Sequence, residues 1–230
     1  MSGATARRRI LEILRSPGWT TALKTLRGAS SRGVIASLFS ALCNADPHVK
    51  WRAVEAMGMV VADLATKDME AARDVMRRLM WSLNDESGAI GWGAPEAMGE
   101  IMARHQGLAG EFAAILVSYT RSDGNFIEYK PLQRGAIWGI GRLARVEPDL
   151  VRSLNAVGPL ISCLSSCDAE VRGLAAWALG ALIAHEAGAK IEKLLKDKSE
   201  FLVWTNGELS PVRVSEVARN ALSRIERGSR

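Results

Sequence analysis

The chain has little of what catalytic and metal sites are built from. Its 230 residues include three histidines, His48, His105 and His185, and three cysteines, Cys43, Cys163 and Cys167. Three cysteines are too few for a disulfide framework. Cys163 and Cys167 stand four apart, on one face if helical, but no histidine lies near to complete a zinc set. They read as ordinary thiols rather than a metal or redox pair. There is no Walker loop, dinucleotide fingerprint, H-E-x-x-H or nucleophile elbow. No apolar run approaches the ~18–20 residues that cross a bilayer. The start, MSGATARRRILEILRS, has a basic cluster without the apolar stretch and small-residue cleavage site of a secretion signal. It reads as a helix, and a cytoplasmic protein without membrane contact is the expectation. No catalytic residue, metal ligand or cofactor is assigned.

What is present is ordinary for a soluble chain: 48% hydrophobic and 24% charged residues, 6% aromatic, formal charge +5. That length is sufficient for a sizeable core. A mild basic excess admits an acidic partner without requiring one.

The informative feature is internal repetition. VKWRAVEAMG, IGWGAPEAMG, LQRGAIWGIG, VRGLAAWALG and a weaker VSEVARNALS begin at Val49, Ile90, Leu132, Val171 and Val214, at intervals of 39 to 43 residues. Four residues after each start stands alanine: Ala53, Ala94, Ala136, Ala175, Ala218. Nine residues after it stand Gly58, Gly99, Gly141, Gly180 and then Ser223. Positions 0, 4, 7 and 8 fall on one helix face, the buried stripe, where small residues let helices approach closely. A second amphipathic run precedes each of the first four copies, over 33–43, 72–83, 111–119 and 150–164. Polar turns such as NADP and SCDA divide the pair. Asp46 and Asp168 suit N-caps, and Pro47 suits a first helical turn.

Helix, turn, helix at a period near 40 predicts an all-α solenoid. The pattern D-x-x-V-[KR]-x-x-A-x-x-A-[LM]-G, kept at Asp46–Gly58 and Asp168–Gly180, resembles the HEAT-repeat family, especially the short bacterial type seen in phycobilisome lyases. The second copy has Gly91 for the basic residue; the third has Tyr129 for Asp and Gln133 for the basic residue. The resemblance implies a right-handed α–α superhelix of about five helix pairs. The expected organisation is one continuous domain: capping helices over 1–30, four repeats over 31–186, and a degenerate repeat over 187–230. Asn206-Gly207, between two β-rich runs, predicts a hairpin over about 200–213. It acts as an end-plug or as a strand edge for a partner, and Ser215 is the expected cap of the helix after it.

Family likeness also places the second helix of each pair on a concave surface. The stripe offset by two from the buried one would then form a groove with small residues on its floor. Its walls would hold Trp51, Glu55, Trp92, Glu96, Arg134, Trp138 and Trp177. Gly91 and Gly93 beside Trp92 either leave space around one indole or permit close helix packing, the first being the expectation. Phe126 and Tyr129 fall in the longest turn inside a repeat, SDGNFIEYKP. Indoles with carboxylates suit a cation, such as an arginine or lysine of a peptide. The expected function is therefore non-catalytic: a scaffold gripping a protein segment, or a small ligand, in the groove. The lyase likeness leaves a tetrapyrrole- or cofactor-handling chaperone as one alternative. Likeness to HEAT-like DNA glycosylases leaves DNA binding or repair as another. Glu55, Glu96 and Glu100 argue against a phosphate track there. The single His185-Glu186 step cannot build the multi-step iron site of the HEAT hydroxylases.

Overall fold

A computed structural model describes residues 3–24, 32–83 and 91–228. Ile90, which opens the second copy, the stretch 25–30 of the expected cap, and the end of the basic tail at 229–230 lie outside the described residues. The chain divides into two compact units, Met1–Ala109 and Gly110–Arg230.

In the first unit, α1 (Gly3–Arg15) and α2 (Trp19–Lys24) precede α3 (Arg32–Leu42), α4 (Pro47–Ala65), α5 (Met69–Leu83) and α6 (Ala94–Met102). α4 packs between α3, α5 and α6. It starts where the sequence predicts: the Asp46 carboxylate accepts from the His48 amide at 2.9 Å, and Pro47 occupies the first turn. Its inward stripe, Val49, Ala53, Ala56 and Met57, is buried. α6 begins three residues after Gly91. Gly93 caps it from the left-handed region at φ 73°, and Pro95 falls where a missing N–H costs nothing. A side chain at Gly91 would meet the Ser82 carbonyl oxygen at 2.6 Å, and one at Gly93 would meet Leu42 at 3.2 Å. These glycines are therefore close-packing positions. What they admit is the Ser82 carbonyl and Leu42, the close helix packing that is the second of the two readings.

In the second unit, α8 (Lys130–Ala144) and α11 (Ala169–Ala181) pack side by side, and α13 (Val214–Arg227) packs on α11. The boundary between units falls inside α7 (Gln106–Ser118). The glycine column is the seam between neighbouring second helices. A Cβ on Gly141 would meet the Trp177 ring, and one on Gly180 would meet Ala221. The apolar run over 150–164 is two short helices rather than one, α9 (Pro148–Ser153) and α10 (Val157–Cys163). Asn155 turns left-handed between them at φ 58°. The first helix of the fifth pair is reduced to α12 (Gly188–Glu192) between two 3-10 turns.

The hairpin forms as the Asn-Gly pair dictates. β1 (Glu200–Thr205) pairs antiparallel with β2 (Glu208–Arg213), Thr205 opposite Glu208. Asn206 and Gly207 both have positive φ, 55° and 83°, as the two-residue turn requires. β2 runs into α13 with no linker. Ser215 therefore lies inside the helix and is buried, and the Glu216 carboxylate instead accepts from the Arg213 amide at 3.3 Å. No described helix is long and apolar enough to cross a membrane.

Candidate functional site

Of the seven candidate contact residues, Trp51, Glu55, Trp92 and Glu96 belong to the first unit and Arg134, Trp138 and Trp177 to the second. Within the first unit, the seam between α4 and α6 gathers carboxylates, cations and indoles. Glu96, in the first turn of α6, is only 3% exposed. Its Oε1 accepts from Lys50 Nζ at 2.6 Å. The same ammonium lies 5.1 Å from the centroid of the Trp51 ring. Lys50 is thus held between an indole face and a buried carboxylate. Glu96 Oε2 is buried and has no hydrogen-bond partner among the described residues.

One turn further along α6, Glu100 is also buried and pairs with Arg104 Nε in the turn that follows the helix. Its chain covers Gly58, where a Cβ would come within 2.6 Å of Glu100 Cγ. The missing side chain at Gly58 is what admits this second carboxylate to the seam. Trp51 is 8% exposed, Glu55 half-buried, and Trp92 37% exposed, in the turn that leads into α6. The seam therefore holds one buried indole and two buried carboxylates, each paired with a cation, and an exposed indole stands in the turn before α6. Arg52, also on α4, is committed elsewhere: its Nη1 donates to the Leu14 carbonyl at 2.8 Å and closes the end of α1.

The second unit's stripe is filled by its own side chains. Trp138 is 3% exposed, and its indole N–H donates to the Trp204 carbonyl of β1 at 3.2 Å. Phe201, also on β1, sits over Gly173, where a Cβ would come within 2.2 Å of its ring. Trp177 stacks on Trp138, centroids 6.4 Å apart at 21°. The Arg145 guanidinium lies 5.9 Å from the Trp177 ring. Burial, then the like charges of Arg224 and Arg142, lower the Arg145 pKa. Arg134 holds the start of α11, donating through Nε and Nη2 to Asp168 and through Nη1 to Glu170 at 3.2 Å. Asp168 also accepts from the Val171 amide at 3.0 Å, the predicted N-cap. Burial pushes the Asp168 carboxyl up, but these bonds outweigh it and hold the pKa below the ordinary value.

Sequence reasoning placed Glu100 in the groove region without counting it as a contact residue, and it missed Lys50 and Arg104. Lys50 was visible as the basic position of the repeat pattern, and Glu100–Arg104 as an i,i+4 pair. Among the described residues, no group of three histidine, cysteine or acidic side chains is placed to hold a metal ion.

Residues 130–182 match the family model described as HEAT-like repeat. The chain is similar to an engineered protein of known structure, at 21% identity and TM-score 0.60 over 98% of this chain and 90% of that one. It is similar to a designed armadillo repeat protein, at 21% identity and TM-score 0.52 over 94% and 98%. A designed armadillo repeat protein in complex with the peptide (KR)4 is 20% identical, TM-score 0.52, over 94% and 98%. No curated protein matches. These findings carry the HEAT-like part of the resemblance, with a fold of the HEAT and armadillo type. They do not carry the phycobilisome-lyase part.

Proposed function

We propose that this helical-repeat chain is a non-catalytic adaptor. It holds a segment of a partner protein against the α4–α6 seam, with an arginine or lysine of the partner on Glu96 beside Trp51. The observation that carries this reading is the unpartnered Oε2 of a carboxylate only 3% exposed. A buried acceptor without a donor costs about 1–3 kcal/mol, more when charged, and an incoming donor recovers it. Lys50 occupies one oxygen only. A guanidinium fork engages both oxygens of a carboxylate at once, so an arginine displacing Lys50 would satisfy what lysine leaves. The reading extends the contact surface to Trp92 and Glu55. Support comes also from the solved armadillo designs, one in complex with (KR)4 and another described as built for modular peptide recognition.

The test is fluorescence polarisation of labelled peptides, arginine- and lysine-bearing against aspartate- and glutamate-bearing, at matched ionic strength. The reading expects saturable binding of the cationic set alone. Equal binding of both sets, or preference for the acidic set, would contradict it.

A further inference from the structure

Between the long turn of the second unit and α10 lies a cavity of about 440 Å³, with Arg121, Lys130, Gln133, Ser162 and Ser165 in its walls and Phe126 at its rim. That volume falls in the ~300–1,000 Å³ range of small-molecule sites. The turn is fixed: the Ile127 amide donates to the Tyr119 carbonyl at 3.0 Å, and Asn125 Nδ2 donates to Ser118 Oγ at 3.1 Å.

The lining carries the cations Arg121 and Lys130 and the amide of Gln133 against a single carboxylate. Its one carboxylate, Asp123, is taken at both oxygens by Arg121, at 3.0 and 2.8 Å. Gln133 is only 3% exposed. Its Oε1 accepts from Lys130 Nζ at 2.9 Å, which leaves Nε2 as the donor end of the amide. The reverse amide orientation would set Nε2 against the Lys130 ammonium, donor against donor, so the assignment is chemically fixed. Lys130 retains two further N–H groups. The Thr120 and Ser162 hydroxyls donate to carbonyls of their own segments, Val117 and Gly158. Cys163, on the wall, is raised by burial to about 11 and contributes no negative charge at neutral pH.

We propose that this cavity binds a small anion-bearing ligand, whose carboxylate or phosphate oxygens accept from Lys130 Nζ and Gln133 Nε2. Phe126, 41% exposed, offers a face to an apolar or aromatic part of the same molecule. The chemistry is opposite in sign to that of the α4–α6 seam, so one site can fail without the other.

Isothermal titration of the full chain with inorganic phosphate, pyrophosphate and malonate, ionic strength matched with chloride, tests the assignment. The variants are Lys130→Met and Gln133→Leu. At least one anion is expected to bind saturably to the wild type, and about tenfold more weakly to each variant. Binding should also shift the Gln133 side-chain amide resonances in an NMR spectrum. Response to the phosphates assigns a phosphorylated ligand; response to malonate alone assigns a carboxylate. Should Gln133→Leu fail to fold, Lys130→Met and the amide shift decide. No saturable binding, or binding unchanged in the variants, overturns the proposal.

Discussion

Gly173 and Gly110 are both helical glycines, and the sequence alone would treat their replacement by alanine alike. Gly→Ala in a helix interior is worth up to about 1 kcal/mol of propensity. The structure separates them. At Gly110, in α7, an added Cβ meets nothing within 4 Å. At Gly173, in α11, it would come within 2.2 and 2.4 Å of two ring atoms of Phe201. That ring is buried, on a strand anchored by the Trp138–Trp204 bond, so it cannot simply swing aside. Overpacking of this kind costs about 1–3 kcal/mol, and expelling the ring would forfeit about 1.5–3 kcal/mol of burial. After the propensity gain, Gly173→Ala should destabilise by roughly 1–2 kcal/mol, and Gly110→Ala should stabilise by up to about 1 kcal/mol. For a chain of this size each kcal/mol moves the melting temperature by about 2–4 °C. Thermal unfolding by far-ultraviolet circular dichroism at neutral pH reads both. A Gly173→Ala protein that melts at or above the wild type would refute the seating of β1 on α11.

Three further outcomes follow from the same geometry. Asp168→Ala should cost about 1–2 kcal/mol at neutral pH through the lost cap and Arg134 pair. Because the folded pKa is lowered, that contribution is complete above the unfolded value of about 3.9 and fades as pH falls through the folded value. The gap between Asp168→Ala and wild type should therefore narrow in acid denaturation; a gap that widens below that pH would be wrong in sign. Trp138→Phe removes the donor to the buried Trp204 carbonyl and should cost about 1–3 kcal/mol by urea titration, with faster amide exchange in the hairpin. Trp92→Ala removes a side chain 37% exposed, so it should leave helicity intact and cost well under the ~3–5 kcal/mol of a buried tryptophan. A loss of that larger size would place the indole in the core.

The features legible in the sequence are those whose cause is local or periodic. Asp46 and Asp168 cap because a short carboxylate before a helix reaches its free amides. Asn206-Gly207 turns because both positions need positive φ. The alanine and glycine columns mark a seam because only small residues fit between neighbouring second helices. The illegible features depend on residues distant in the chain. Trp138 and Trp177 share one repeat column, yet Trp138 is sealed by a strand 66 residues away, a contact no periodicity encodes. The glycines beside Trp92 look like open space until Leu42 and the Ser82 carbonyl are placed against them. Apolar spacing also continues through Asn155, so the run gives no sign of the left-handed turn that divides α9 from α10. At the seam the sequence marked Trp51 and Glu96. That Lys50 satisfies one carboxylate oxygen and leaves the other unpaired is a matter of side-chain geometry alone.

The proposed capture of a partner's cation by Glu96 is addressed directly by one substitution. Glu96→Gln keeps the shape and removes the charge. The measurement is the dissociation constant of an arginine-bearing peptide for wild type and Glu96→Gln, both shown folded, by fluorescence polarisation. Loss of a charge-assisted bond worth about 1.5–3 kcal/mol predicts affinity weaker by about tenfold or more, with arginine preferred to lysine only in the wild type. Equal affinity in the two proteins would contradict the claim.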